Sequence, residues 1–550
     1  MRRLSFNQSH CLACKSCEIA CVLAHSQATN LEMAASQTPV AKRRVRVGHD
    51  ADGVAALRCA QCDEPLCVFA CKSGALSRDP ETLRTTLDEA QCVGCGMCLM
   101  VCPFGIRMDS DRNQAVRCDV CADRDVPACV AACPTRALGV QDETSPRVTS
   151  TFAGRLVVVG SSAAGIAACE AGRECAPACS ITLVTADELP QYSRPLLTYA
   201  LSGHLTRQQL DWRADEYLQG ALGVELLRDA RAASLRPEAR KLCLADGREL
   251  GYDALVVATG ARGQRLQVPG ADLFGVFTLR NLEDLDAIES LLGTARRAVV
   301  VGGGNVGLQT CEALLARGLD VTVVFRSPHL LSQMVDQETS QRVGALFTEH
   351  KLTLRSGRDP VKFVGTGCVT GVELDNGEVL DAQIVVIGKG IQPNVEWLSD
   401  SGVEVRRGIV VDRCGRTNLP DVYAAGDCAE TIDPLTGGSA VSGVWPVAYE
   451  MGRVAGSTAV GVERQAVGAL RMNASKYFGK TIISIGEVRE ERLPDARAEV
   501  LEANRDVYRK LVYRDERLVG ALLYGDVSRA GEFYRLYREA AERPLEKGVI

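Results

Sequence analysis

Sixteen cysteines lie before residue 134, in four groups of four: Cys11, Cys14, Cys17, Cys21; Cys59, Cys62, Cys67, Cys71; Cys92, Cys95, Cys98, Cys102; and Cys118, Cys121, Cys129, Cys133. The third group shows how strongly this constrains the fold. In QCVGCGMCLMVCP three thiols fall within seven residues, a fourth follows four residues later, and Pro103 closes the run. Zinc ribbons use two cysteines per turn, and four structural zincs would not require triple-cysteine loops. A disulfide framework requires an oxidising compartment, whereas Met1-Arg2-Arg3 leads into cysteines without an apolar leader. Compact inorganic clusters held by thiolates account for the spacing better than either.

Composition sets the outer bounds. A length of 550 residues suggests about three to four domains, and 46% hydrophobic with 24% charged residues is enough to bury full cores. A net charge of -6 is too mild to indicate nucleic acid or membrane as partner, and Lys42-Arg43-Arg44-Val45-Arg46 reads as one solvated strand. The apolar stretch Leu156 to Ala168 is too short and too interrupted to span a bilayer. The expected location is cytoplasmic.

The spacing of the third group matches the bacterial run that holds a cubane cluster. Over about 130 residues, Cys11 to Pro134 resembles the four-cluster ferredoxin subunits that wire CO dehydrogenases, formate dehydrogenases, tungsten aldehyde oxidoreductases and molybdopterin reductases to their electron partners. The resemblance implies a tandem bacterial-ferredoxin-like α+β domain over 1–137 with four 4Fe–4S clusters, and a catalytic metalloenzyme subunit as electron partner. In two-cluster ferredoxins the fourth cysteine of each run ligates the other cluster. By that resemblance the groups nest, giving ligand sets Cys11, Cys14, Cys17, Cys133; Cys118, Cys121, Cys129, Cys21; Cys59, Cys62, Cys67, Cys102; and Cys92, Cys95, Cys98, Cys71. Val22 and Lys72 depart from the pattern, standing where Pro103 and Pro134 follow the other two terminal cysteines.

Residues 138–153 are polar, aperiodic and contain a proline, so they read as a linker. The α/β part begins at 154. RLVVVGSSAAGIAACEAG has the strand, glycine turn and small-residue helix of a dinucleotide unit, with Gly160, Ser162, Ala163, Ala164 and Gly165 at the turn. Ser162 replaces the middle glycine. The next strand ends at Asp187 and Glu188, either of which suits a ribose hydroxyl. A second unit, RRAVVVGGGNVGLQTCEALLARGLDVTVVF, carries the full fingerprint at Gly302, Gly304 and Gly307, with Asn305 and Val306 between them.

YDALVVATGA, VVIGKGIQPN and TNLPDVYAAGDCA complete the pattern. Together these segments resemble the two-dinucleotide flavoprotein reductases: rubredoxin reductase, NADH oxidases, ferredoxin-linked reductases and the flavin portion of assimilatory nitrite reductase. That resemblance implies an FAD-binding domain over 154–265 and 389–465 and an NAD(P)-binding domain over 266–388. It places Ala258, Thr259, Gly260, Gly426 and Asp427 on FAD, Gly388 near the nucleotide, and Arg194 and Pro195 beside the isoalloxazine as catalytic candidates. Where many NAD-preferring relatives end the second strand in Glu, Phe325 stands here, followed by Arg326, which suits a 2'-phosphate or simply caps a strand. Gln309 also replaces a common Glu, and NAD versus NADP stays open.

No cysteine occurs in YSRPLLTYALSG, so the flavin has no dithiol outlet there. The later cysteines read as core or turn residues, with Cys428 as a thiol that could approach the flavin and Cys175 with Cys179 as a weak metal pair. Trp445-Pro446 either starts a helix facing the flavin or simply packs. Residues 470–550 resemble the small C-terminal α+β domain of rubredoxin reductases, a candidate surface for subunit contact.

The expected function is hydride exchange between NAD(P)(H) and FAD, with four clusters relaying single electrons to or from a partner that oxidises CO, formate or an aldehyde. The alternatives are a stand-alone reductase of ferredoxin, rubredoxin or a small acceptor, and a non-catalytic electron-carrier scaffold.

Overall fold

A computed structural model describes residues 2–50, 53–79, 82–109, 111–142, 148–188 and 191–542. The chain divides into two compact units, one formed by the N-terminal residues together with Val527–Arg538, the other by Val148–Asp526 and the end of the final helix.

The first unit repeats one small theme. A loop carries the first two cysteines of each group, a short helix carries the third, and the fourth lies at or just past the helix end; in the first group the helix holds both. These helices are Ser16–Ala24, Leu66–Phe69, Met97–Val101 and Ala128–Ala131. The loops turn sharply through left-handed residues, among them Ala13, Lys15, Gln61, Gly94, Gly96, Val120 and Cys121. A β-branched residue such as Val120 rarely adopts that conformation, so its surroundings must impose it. Paired strands close the unit, the outermost joining Arg2–Phe6 to Leu138–Asp142 antiparallel. Residues 138–142, expected in the linker, are therefore a strand of this unit. Leu4 and Leu138 are both buried beside the cysteines, and that burial outweighs the weak local signal. Residues 143–147 lie outside the described set.

The final helix, Ala530–Glu542, begins in this unit rather than with the C-terminal sheet that precedes it. A Cβ on Gly531 would stand 2.0 Å from the Cys102 carbonyl oxygen, so the helix backbone lies directly against a cysteine loop. Of the C-terminal domain expected over 470–550, the sheet thus belongs to one unit and most of the helix to the other, while 543–550 lie outside the described residues.

In the second unit, two five-stranded parallel sheets share one plan. The first orders Val224–Leu227, Ser180–Val184, Arg155–Val159, Ala254–Val257 and Val422–Ala424. The second orders Val276–Phe277, Ile384–Ile387, Arg297–Val301, Asp320–Phe325 and Thr353–Ser356. Strands buried on both faces read as continuous apolar runs, as VVV does in both central strands. The helices Ala163–Cys175 and Trp445–Ala459 pack face to face over the first sheet. Gly452 and Gly456 allow this approach, since a Cβ on either would come within 2.2 Å of the Ala164 or Ala168 carbonyl oxygen. A five-stranded antiparallel sheet, Met472 to Tyr524, completes the unit.

Candidate functional site

The thiols fall into four sets. Cys11, Cys14, Cys17 and Cys133 line one small cavity with Phe6, Val47 and Leu138. Cys71, Cys92, Cys95 and Cys98 line another with Leu76, Leu87 and Met108. Cys59 and Cys102 act electrostatically on both Cys62 and Cys67, in line with the third set, while Cys129 feels Cys21 and Cys121 but also Cys17, so the fourth set is the one the resemblance implies. In both cavities the odd cysteine, Cys133 or Cys71, comes from a distant group.

The surroundings suit sulfur that carries negative charge. Backbone N–H groups of Gln61, Leu76, Ala115 and Val120 donate to Cys59, Cys71, Cys92 and Cys118 at 3.3 to 3.5 Å, and the Arg44 N–H donates to Cys21 at 3.2 Å. Burial pushes the Cys17 and Cys62 thiols up to about 11 and raises Cys98 well above the ordinary thiol value, whereas hydrogen bonds hold Cys14, Cys21 and Cys133 below it. Converging thiols, left-handed loops and amide donors fit iron–sulfur clusters.

A cavity of about 890 Å³ opens at the first glycine turn of the second unit. Gly160, Ser162, Ala163 and Ala164 line it from the turn; Asp187, Arg194 and Pro195 from one side; Ala258, Thr259, Gly260, Gly426 and Asp427 from the other. Gly165 lies beneath: a Cβ there would stand 1.7 Å from the Gly160 carbonyl oxygen, so only glycine lets helix and strand approach. Of the two acidic candidates for a ribose, Asp187 lines the cavity, whereas Glu188 is exposed and does not. Arg194 donates to Asp187 and to the Tyr192 hydroxyl, both at 2.7 Å.

Several donors here have no protein partner. Ser162 caps the helix Ala163–Cys175 without a side-chain bond, which leaves the positive helix end facing the cavity. The buried Nε1 atoms of Trp397 and Trp445 and Nε2 of Gln191, all on lining residues, are likewise unpaired. Buried donors are normally satisfied, so these suit a polar ligand filling the space. The helix Trp445–Ala459 starts at the cavity wall with Pro446 in its first turn. Cys428 points away: buried, it donates to the Val257 and Ala425 carbonyls, and no cysteine lines the cavity among the described residues. Cys175 and Cys179 are both buried.

Sequence reasoning missed Arg280. Its guanidinium donates to Asp427 at 2.6 Å and to the Ala261 carbonyl at 3.1 Å, tying three segments of the lining together. No local motif surrounds it; only the long-range register brings it to Asp427.

The second glycine turn repeats the geometry. Gly302 has φ +122°, Gly304 caps Asn305–Ala316 without a side-chain bond, and a Cβ on Gly307 would stand 2.0 Å from the Gly302 carbonyl oxygen. Gly388 crosses beneath, 2.4 Å from where a Gly302 Cβ would sit. Val306 is exposed at the helix start. The Asn305 Oδ1 is occupied, since it accepts from Ser475 and Tyr477 at 2.7 Å. Arg326 is 84% exposed, 3.4 Å from Asp359, a carboxylate it shares with Lys389.

Comparison with known proteins agrees with this organisation. Residues 154–452 match the pyridine nucleotide-disulphide oxidoreductase family, 53–143 a 4Fe–4S dicluster domain, and 472–541 the rubredoxin NAD+ reductase C-terminal domain. The chain belongs to the pyridine nucleotide-disulphide oxidoreductase family, with a 4Fe–4S domain ahead of it and a rubredoxin reductase-type domain behind. It is 29% identical to nitrite reductase (NAD(P)H) of Bacillus subtilis over 70% of this chain and 48% of that one. It is 30% identical to the NADH-dependent phenylglyoxylate dehydrogenase subunit epsilon of Aromatoleum evansii, over 60% and 79% respectively. The chain spans about half the length of the Bacillus subtilis relatives. Among solved structures, an NAD-dependent persulfide reductase from A. fulgidus superimposes with a TM-score of 0.66 at 26% identity, covering 70% of this chain and 77% of that one. Among the described residues no helix is long and apolar enough to cross a membrane.

Proposed function

We propose that this chain exchanges hydride with NADH or NADPH and single electrons with a partner protein. FAD in the large cavity would supply the conversion between two-electron and one-electron chemistry, and four 4Fe–4S clusters the one-electron stations. What supports this reading is that one chain combines a cavity lined, among the described residues, by no cysteine with sixteen clustered thiols, of which Cys59, Cys71, Cys118 and Cys21 accept backbone N–H donors.

The residues divide the work. The turn Gly160 to Gly165 offers backbone N–H groups and a helix N-terminus to a pyrophosphate, and Asp187 accepts from ribose hydroxyls. Asp427, held by Arg280, orients the polyol and pyrophosphate end. Arg194 and Pro195 wall the reacting ring, and Trp397 and Trp445 donate their indole N–H groups. Gly302, Gly304 and Gly307 receive the nicotinamide nucleotide, with Arg326 at the ribose end. Among the described residues no thiol lines the cavity, and the cluster-bearing unit offers the one-electron outlet in this reading.

A metalloenzyme subunit that oxidises CO, formate or an aldehyde is the partner this arrangement suits. Relatives named as an electron transfer subunit and as a dehydrogenase subunit favour it. The match to a rubredoxin reductase C-terminal domain favours instead a stand-alone reductase of ferredoxin or rubredoxin. Anaerobic purification tests the reading: about sixteen irons with acid-labile sulfide, one FAD and bleaching by NADH or NADPH are expected. Zinc without sulfide, or a flavin that neither nucleotide bleaches, would overturn it. A co-purifying metal-containing subunit would separate the partner reading from the stand-alone one.

A further inference from the structure

Arg117 lies deep in the first unit with no carboxylate partner among the described residues. Arg117 is 4% exposed, and its guanidinium donates to the Thr85 carbonyl and, at 3.2 Å, to the sulfur of Cys59. Among the described residues it forms no ion pair with a carboxylate, in contrast to Arg44, which pairs with Asp119, and Lys42, which pairs with Asp109 and Asp111. A buried, unpaired guanidinium is costly unless negative charge lies close by. Here that charge comes from thiolates, since Cys59, Cys67 and Cys118 all act on the Arg117 guanidinium.

At the other sets, among the described residues, the side chains that approach sulfur are hydroxyls and a histidine. Ser16 and Ser73 approach Cys14 and Cys71 at 3.4 and 3.6 Å, and His25, 3.7 Å from Cys21, shares Asp119 with Arg44, so the positive charge there lies partly on a carboxylate rather than on sulfur alone. Arg58 adds positive field over Cys118, Cys129 and Cys59, but its donors go to the Leu4 and Ala56 carbonyls rather than to sulfur. Positive charge and hydrogen bonds at the ligating sulfur stabilise the electron-rich form of a cluster and raise its reduction potential.

We propose that Arg117 makes the site formed by Cys59, Cys62, Cys67 and Cys102 the most easily reduced of the four, so that single electrons collect there. This rests on the cluster reading above. Arg117 acts as a tuning residue: it touches a ligand, not a substrate, and it changes where an electron resides without forming or breaking a bond.

A redox titration of the anaerobic holoprotein, followed by electron paramagnetic resonance, tests the assignment. In the unaltered protein the first signal to appear as potential falls should be the one altered by Cys59→Ser. In Arg117→Gln with full iron content, the reduced-to-oxidised ratio of that signal at a fixed potential should drop at least tenfold, which is 59 mV for a one-electron couple. Arg117→Lys, which keeps the charge, should drop it less. An unchanged ratio in iron-replete Arg117→Gln would overturn the proposal. If that variant does not retain iron, the Cys59→Ser comparison decides, and a first signal untouched by it overturns the proposal equally. Absence of iron and sulfide from the unaltered protein would instead refute the cluster reading.

Discussion

The guanidinium of Arg280 holds the carboxylate of Asp427 at 2.6 Å, across 147 residues of sequence, and both side chains line the large cavity. Asp427 sits in a motif; Arg280 does not. A charge-assisted bond of this kind is worth about 1.5–3 kcal/mol. Arg280→Met should therefore weaken FAD binding roughly 10- to 150-fold by releasing Asp427 from its orientation. Titration of flavin into the apoprotein measures this, and an unchanged dissociation constant would show that Asp427 is held by other means.

The two glycine turns should fail separately. Gly165→Ala drives a methyl group to 1.7 Å from the Gly160 carbonyl oxygen, so the variant should purify without flavin. Gly307→Ala makes the same collision in the other sheet, at 2.0 Å from Gly302. It should retain flavin yet require at least about tenfold more NADH or NADPH for half-maximal bleaching. Equal flavin loss in both variants would contradict the division of labour between the two sheets.

Cluster ligation can be checked by pairing variants. Cys11 and Cys133 line one cavity although 122 residues separate them. Cys11→Ala and Cys133→Ala should each remove about four irons and abolish the same paramagnetic signal. Damage by Cys133→Ala to the signal that depends on Cys118 would refute the nested assignment.

Arg326, exposed beside Asp359, is the residue through which nucleotide preference can be tested. Arg326→Glu should cut kcat/KM for NADPH at least about tenfold while leaving NADH within about twofold, because a carboxylate repels a 2'-phosphate and accepts from a ribose hydroxyl. A parallel loss for both nucleotides would leave Arg326 as a strand cap only.

Behind the cavity, Glu170 is buried and accepts from Arg213 at 3.3 Å, from Tyr217 at 3.0 Å and from Tyr449. Removing it strands the Arg213 charge in a dry site, so Glu170→Ala should destabilise the second unit by about 3–5 kcal/mol. Trp212 and Trp445, stacked edge-on at 4.7 Å, make intrinsic fluorescence in urea a direct reporter. A midpoint unmoved by the substitution would mean that the network contributes nothing net.

Several of these residues were legible without coordinates because their chemistry is local. Cysteine spacing reports ligation because a cluster demands thiolates a few ångströms apart, and GSSAAG or GGGNVG reports a phosphate-binding turn because the backbone itself makes the contact. The β-strand at 138–142 was not legible, since its partner Arg2–Phe6 stands at the opposite end of the unit and only burial of Leu138 against the cysteines selects it. The choice of Asp187 over Glu188 was likewise invisible, because the strand ends at Val184 and the path of the loop beyond it, which follows no strand period, decides which one meets the cavity.

Sequence alone determined that this chain carries sixteen clustered thiols and two dinucleotide turns, since each is a short run whose spacing is its chemistry. Tertiary structure alone decided that Arg280 braces Asp427, that Arg117 reaches Cys59 without a carboxylate to balance it, and that the last helix packs against a cysteine loop. Those relationships depend on where distant segments come to rest, and long-range packing, unlike local spacing, leaves no periodic trace in the order of residues.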